Sequence, residues 1–246
     1  MRRLSYLVAL SVIALVAVMP TAGAQGGQQT VSAEEASSED ANPENFVSTV
    51  DNKFFPLQPG TAFFYKGKKD GVHTSNVTFV THATKQILGV TTTVVRDRAF
   101  EKGVLVEDTI DWYAQDRTGN VWYFGEDTKE LDKSGNVIST EGSWEAGKNG
   151  ARPGIIMEAN PKAGDRYHQE RAPGVAEDMA QVLSLDKSAC VPYGCFNNLL
   201  LTKEWTPLEP GVVEHKYYAE GVGFIRSVIV KGGKEHTELV RITTGN

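Results

Sequence analysis

Strand-like segments recur twice along this chain in the same order, and that near-repeat narrows the possible folds more than any other feature. The first passage runs PGTAFFY, GVTTTVVRD, LVEDTIDWYAQ and GNVWYF; the second runs AGDRYHQ, GCFNNLLLTKEW and VVEHKYYAEGVGFI. Gly60 aligns with Gly164, Arg96 with Lys203, and Val106-Glu107 with Val213-Glu214. Trp112-Tyr113-Ala114-Gln115 aligns with Tyr217-Tyr218-Ala219-Glu220. The displacement stays at about 105 residues, with only small gaps. This pattern predicts a duplicated meander unit, over 54–125 and 160–230, with 126–160 as an insertion in the first copy.

Extended backbone is the natural state of both passages. Thr61–Lys66, Thr74–Thr81, Thr91–Arg96, Leu105–Ala114 and Val121–Gly125 are rich in β-branched and aromatic residues. So are Phe196–Trp205, Val212–Ala219, Phe224–Val230 and His236–Thr243. Gly, Asn and Pro punctuate them, and helical periodicity is weak throughout. The expected fold is mainly β, built on antiparallel sheet in a half-barrel or sandwich-like form, with little helix. Ser143–Pro161 shows no period and reads as a long loop or insertion. Ala176–Leu185 fits a strand or one or two helical turns, with Glu177-Asp178 at its start as acids that suit a helix N-terminus.

The stretch Asp111–Glu126 concentrates the side chains that could bind something. A turn at Asp116–Asn120, with Gly119 and Asn120 tolerant of positive φ, folds it into a hairpin. Alternation puts Ile110, Trp112 and Ala114 on one face and Asp111, Tyr113 and Gln115 on the other. Trp112, Tyr113 and Trp122 with Asp111, Asp116 and Glu126 make an aromatic-acidic face, and Trp144-Glu145 follows in the insertion. Rings flanked by carboxylates suit sugars, cations or peptide segments. The expected ligand is a small molecule, a glycan or an envelope component. Two carboxylates from the same region at the correct separation would instead suit a secreted hydrolase, and a third reading is an interaction protein without a pocket. The aromatics recur in the second copy and read as scaffold. The acids and the insertion are peculiar to the first.

Other chemistry finds little support. No HExxH, GxSxG, GxGxxG or P-loop pattern occurs, so no metal, catalytic residue or cofactor is assigned. His168 and Glu170 share a strand face without a third metal ligand beside them. Acidic residues outnumber basic ones, for a formal net charge of −6, and no Lys/Arg block is present, which argues against nucleic acid as a partner.

The N-terminus is an export signal: Arg2-Arg3, an apolar run over Leu7–Met19, and Ala22-Gly23-Ala24, with cleavage after Ala24. That run is short for a membrane span, and no transmembrane segment is expected after cleavage. Residues 25–45, polar and acidic without an aromatic ring, read as a disordered tether, leaving 46–246 as a single β domain. The protein should be secreted or periplasmic. Cys190 and Cys195 flank the turn residues Pro192-Tyr193-Gly194 and fit a disulfide between paired strands in that compartment.

VPYGCFNN followed by LLLTKEW and EHKYYAEGVGFI, taken with VDNKFFPLQPGT, DWYAQDRTGNVWYFGE and GSWEAG, resembles a family of exported bacterial β-rich proteins. Its marks are a P-x-G-x-F-x-N turn and a YYA-x-GVG strand, matched here over Val50–Val230. The resemblance implies a bacterial envelope setting and an antiparallel sheet related to periplasmic half-barrels that handle lipids or lipoproteins. It implies no activity. The cysteine pair departs from the family pattern and reads as a local addition.

Overall fold

Side chains branched at Cβ pack well on a pleated surface and poorly against a helical turn, and they hold most of this chain extended. The computed structural model describes residues 41–245. The export signal over 1–24 and the tether up to residue 40 lie outside the described residues. Residues 41–45, assigned to the tether by composition, pack onto the fold. Pro43–Asn45 form a 3-10 turn capped by the Asn42 side chain, and Ala41 is buried.

Sixteen strands follow. They are β1 (Phe46–Val47), β2 (Thr61–Lys69), β3 (Val72–Ile87), β4 (Val90–Glu101), β5 (Val104–Asp116), β6 (Val121–Leu131), β7 (Val137–Ser139) and β8 (Trp144–Glu145). Then come β9 (Arg152–Met157), β10 (Arg166–His168), β11 (Glu170–Arg171), β12 (Met179–Val191), β13 (Gly194–Trp205), β14 (Val213–Ala219), β15 (Gly223–Lys231) and β16 (Glu235–Thr244). All pair antiparallel. The first half lies in the order β2-β3-β4-β5-β6-β9, and the second in the order β10-β12-β13-β14-β15-β16. β16 also pairs with β2, which joins the two meanders into one sheet.

That sheet curls into a nearly closed barrel, and its seam is one short piece of chain. Arg166–His168 pair with β12, while Glu170–Arg171 pair with β9. Only Gln169 separates the two strands; it is buried, and its backbone N–H donates to the Asp178 carbonyl at 2.7 Å. A Cβ on Gly154 of β9 would lie 2.2 Å from the Gln169 carbonyl oxygen, so the seam requires glycine there.

Two expectations need correcting. Ser143–Pro161 is not a long loop, because it contributes β8 and β9, both paired to β6. Glycine and proline masked the strand, which is held by the free edge of β6 and by its own Ile155-Ile156-Met157. Of the two readings of Ala176–Leu185 the strand holds, as β12 from Met179, and what needs correcting is the helix end: Asp178 is buried just before the strand. The Cys190–Cys195 disulfide is formed, and the two residues face each other at the β12–β13 turn.

The barrel interior changes character along its axis. Val80, Val95, Val121, Val182, Leu199, Leu200 and Leu239 are fully buried, with Tyr113, Tyr123 and Tyr218 among them. Phe54, Phe55 and Leu57, on the segment before β2, fold into this apolar core, with the Phe55 ring 5.3 Å from that of Tyr113. Further along the same inner faces stand Thr74, Asn76, Thr78, Asp97, Glu107, Thr109, Thr128, Glu214, Ser227, Glu235 and Thr237, all buried. On β5 the face carrying Glu107, Thr109, Asp111, Tyr113 and Gln115 points inward. The polar side of the alternation is therefore the inner side.

Candidate functional site

The β5–β6 hairpin places the aromatic-acidic residues, and its turn accounts for some of them structurally. Asp116 accepts hydrogen bonds from the Thr118 and Asn120 backbone and side chains and from Trp122 Nε1 at 2.8 Å. Burial raises the Asp116 carboxyl, but these donors outweigh it and hold the group below its usual range. Trp122 packs edge-on against Phe46 of β1. Asp116 and Trp122 thus close the hairpin and do not line the pocket formed by the other candidates.

Four of the other candidates meet at one place. Trp112, Glu126, Trp144 and Glu145 line a pocket of about 280 Å³, together with Ser143, Lys148, Asn149, Ala151 and the turn Ala172, Pro173 and Val175. A glycine makes this convergence possible. Gly125 has φ +126°, and a Cβ there would lie 2.2 Å from the Trp144 carbonyl oxygen. At this position β8 crosses close over β6 and pairs Trp144 with Glu126 and Glu145 with Gly125. Any larger residue at position 125 would push Trp144 away from Glu126.

Lysines set the outer charge of the site. Lys85 and Lys148 each reach Glu145 Oε2 at 2.8 Å. Burial raises the Glu145 carboxyl, but these two ammonium groups dominate and hold it below its usual value. Glu145 is therefore ionised and paired, which suits a fixed charge and not a general acid. Lys85 Nζ also lies 3.3 Å from the Trp112 ring centroid, a cation–π contact.

Behind the pocket the charges are buried and mostly acidic. Asp111 stands directly across the ladder from Glu126. Tyr123 Oη is 2.6 Å from Asp111 Oδ1 and 3.1 Å from Glu126 Oε2. A phenol has one proton, so it can donate to only one of these carboxyls at a time. Burial, and next the Glu126 charge, push the Asp111 carboxyl well above its usual range. Tyr113 stacks on Tyr123 at 4.7 Å, and both phenols are raised by burial and by Asp111. Trp144 Nε1 donates to Glu170 Oε1 at 3.2 Å. Glu170 is itself raised by burial and by Asp178.

Glu170 opens on the far side into a second pocket of about 320 Å³, lined by Gly150, Arg152, His168, Arg171, Pro173, Glu177 and Pro207 as well. Pro173 lines both pockets. Asp111 and Tyr113 thus sit behind the first pocket, while Trp112, Glu126, Trp144 and Glu145 form its walls. Sequence reasoning missed Glu170, Asp178 and the 172–175 turn. The available signal was His168 and Glu170 on a common strand face. Among the described residues, no group of three or more His, Cys, Asp or Glu is placed to hold a metal ion.

No protein-family profile matches the chain, and no curated protein does. Two solved structures resemble it. One is a candidate exported protein with a YmcC-like fold from Bacteroides fragilis NCTC 9343, at 15% identity and TM-score 0.46, covering 78% of this chain and 99% of its own. The other is a candidate lipoprotein from Parabacteroides distasonis ATCC 8503, at 12% identity and TM-score 0.42, covering 77% of this chain and 98% of its own. No helix among the described residues is long and apolar enough to cross a membrane.

Proposed function

We propose that this protein is a non-catalytic binding protein of the cell envelope or the extracellular space, and that it takes a small ligand between Trp112 and Trp144. One observation carries the reading. Side chains from β5, β6 and β8, brought together by the close crossing at Gly125, converge on a single pocket with an acid on its wall. Two indole rings supply apolar area, and Glu126 supplies a polar contact that fixes orientation, the usual composition of a small-molecule site. The export signal at Arg2–Ala24 supports the compartment. The common strand order of the two halves supports descent from one duplicated meander. Of the carboxylates a hydrolase could use, Glu145 is tied to two lysines and is unsuited to a general acid.

Indole N–H resonances test the site directly. The chain has four tryptophans, Trp112, Trp122, Trp144 and Trp205. In a ligand screen by NMR, the Trp112 and Trp144 signals should shift together on binding while those of Trp122 and Trp205 stay in place. Hits that move Trp122 or Trp205 instead would place binding elsewhere.

A further inference from the structure

The sheet splits between its last two strands. β15 and β16 pair only over Arg226–Val228 and His236–Glu238. Beyond that point β15 extends back to Gly223 beside β14, while β16 runs on to Thr244 beside β2. Two backbone carbonyls at the split are met from elsewhere. The Tyr65 phenol of β2 donates to the Phe224 carbonyl at 3.2 Å, and the Tyr193 backbone N–H donates to the Leu239 carbonyl at 3.1 Å.

Tyr193 lies at the tip of the β12–β13 hairpin, which reaches the split as an overhang. β13 pairs with β14 only over Leu200–Glu204, so the part from Gly194 to Leu199 extends past it. The β12–β13 ladder slips register three times between Val182 and Ala189, and Asn198 has φ +55°. Each bulge interrupts a ladder and bends it. Val191 is buried, and Leu185, Ala189 and Phe196 pack against the core, so the overhang folds back onto the barrel. Among the described residues, the Tyr193–Leu239 bond is the one backbone hydrogen bond that ties the tip to β16.

The disulfide sits directly behind this contact. Cys190 faces Cys195 across the ladder, one rung from the turn, and both residues are exposed. The bridge joins residues five positions apart, so it removes little entropy from the unfolded chain. Its effect is local, on the shape of the tip. Exposed disulfides are also the ones that exchange readily with thiols.

We propose that the Cys190–Cys195 disulfide is a redox-sensitive clasp that holds the hairpin tip over the split between β15 and β16. An external dithiol opens it. One thiolate attacks a sulfur of the bridge, a mixed disulfide forms, and the second thiol resolves it. The dithiol leaves as its own disulfide, and Cys190 and Cys195 take up its two electrons and two protons as thiols. Without the cross-link the bulged ladder no longer fixes the tip. The Tyr193–Leu239 bond then opens, and the edge of β16 beyond Glu238 is uncovered. Such an edge is a template for another strand.

Amide hydrogen exchange on the full chain tests the clasp, with dithiothreitol as the dithiol and mass spectrometry reporting the state of the bridge. In the reduced protein the Tyr193 N–H should exchange at least about tenfold faster, and the amides of 184–199 should follow. Amides of 121–131 should keep their protection. Cys190→Ser combined with Cys195→Ser should give the same pattern without reductant, and reduction of the folded, oxidised protein decides the matter if that variant does not fold. If dithiothreitol opens the bridge only in denaturant, the disulfide is no switch and the proposal is overturned. If the bridge opens and Tyr193 stays protected, the tip holds without it and the proposal is overturned. Exchange that quickens throughout the barrel would overturn it as well, by making the bridge a staple of the whole fold.

Discussion

Acidification from pH 8 to pH 6 should make this protein more stable. The cause is the set of carboxyls inside the barrel. Asp97, Glu107, Asp111, Glu170, Asp178, Glu214 and Glu235 are all raised, chiefly by burial. Each native carboxyl then keeps its proton to a higher pH than the same group does in the unfolded chain. Between those two values the native state holds more protons, so stability falls as pH rises.

Glu235 gives a magnitude. It is pushed up to about 8 from an ordinary 4.5, even though Lys69 lies 3.9 Å away. Lys69 is in turn lowered, with burial as the largest cause. Both partners agree that burial outweighs their mutual attraction. Taking Glu235 from half-protonated at pH 8 to fully protonated at pH 6 stabilises the native state by about 2 kcal/mol. For a domain of this size that is roughly 4–8 °C in Tm from one residue. His215, lowered by burial and by Lys203, works in the opposite direction only below its usual value near 6.5.

The assay is thermal unfolding followed by circular dichroism at constant ionic strength. Tm should rise from pH 8 to pH 6, and Glu235→Gln should raise Tm at pH 8 while flattening the slope. A Tm that is constant or falls on acidification would refute the reasoning. Equal destabilisation by Glu235→Gln at both pH values would show instead that the pair with Lys69 outweighs burial.

Two further outcomes follow from the same interior. Lys216→Met leaves Glu204 and Glu214 buried without their ammonium, which should cost about 3–5 kcal/mol at pH 7. The loss should shrink toward pH 5 as the freed Glu214, raised by burial, takes up a proton, and chemical denaturation at both pH values measures it. Gly154→Ala should destabilise the seam by several kcal/mol, because its methyl group meets the Gln169 carbonyl. Hydrogen exchange should show faster exchange at 166–171 in that variant before anywhere else.

Much of the fold was legible because its strands are made of residues that favour strands. Val90–Glu101 and Val213–Ala219 announce themselves by β-branched and aromatic content. The half-barrel was legible but its near-closure was not, because that depends on Arg152–Met157, whose glycine and proline resemble a loop, and on the six residues 166–171, which pair on both sides. The inward direction of the polar face was also hidden. Alternation separates Asp111 from Trp112 but does not say which side faces a core that admits acids. Of the site, Trp112, Glu126, Trp144 and Glu145 were readable from their residue types, whereas Glu170 and the 172–175 turn arrive by long-range contact alone. Asp116 and Trp122 drew notice for the same chemistry and serve the hairpin instead.

The last strand carries a consequence for how the chain is made. β16 bonds to β15 on one side and to β2 on the other. A chain that emerges N-terminus first therefore presents β2 with an open edge until roughly 170 further residues have followed. An open edge is a template for pairing with another molecule. A product truncated before Glu235 would carry such an edge permanently, on β2 and on β15 at once. The ten residues of β16 thus act as the sheet's own chaperone against self-association.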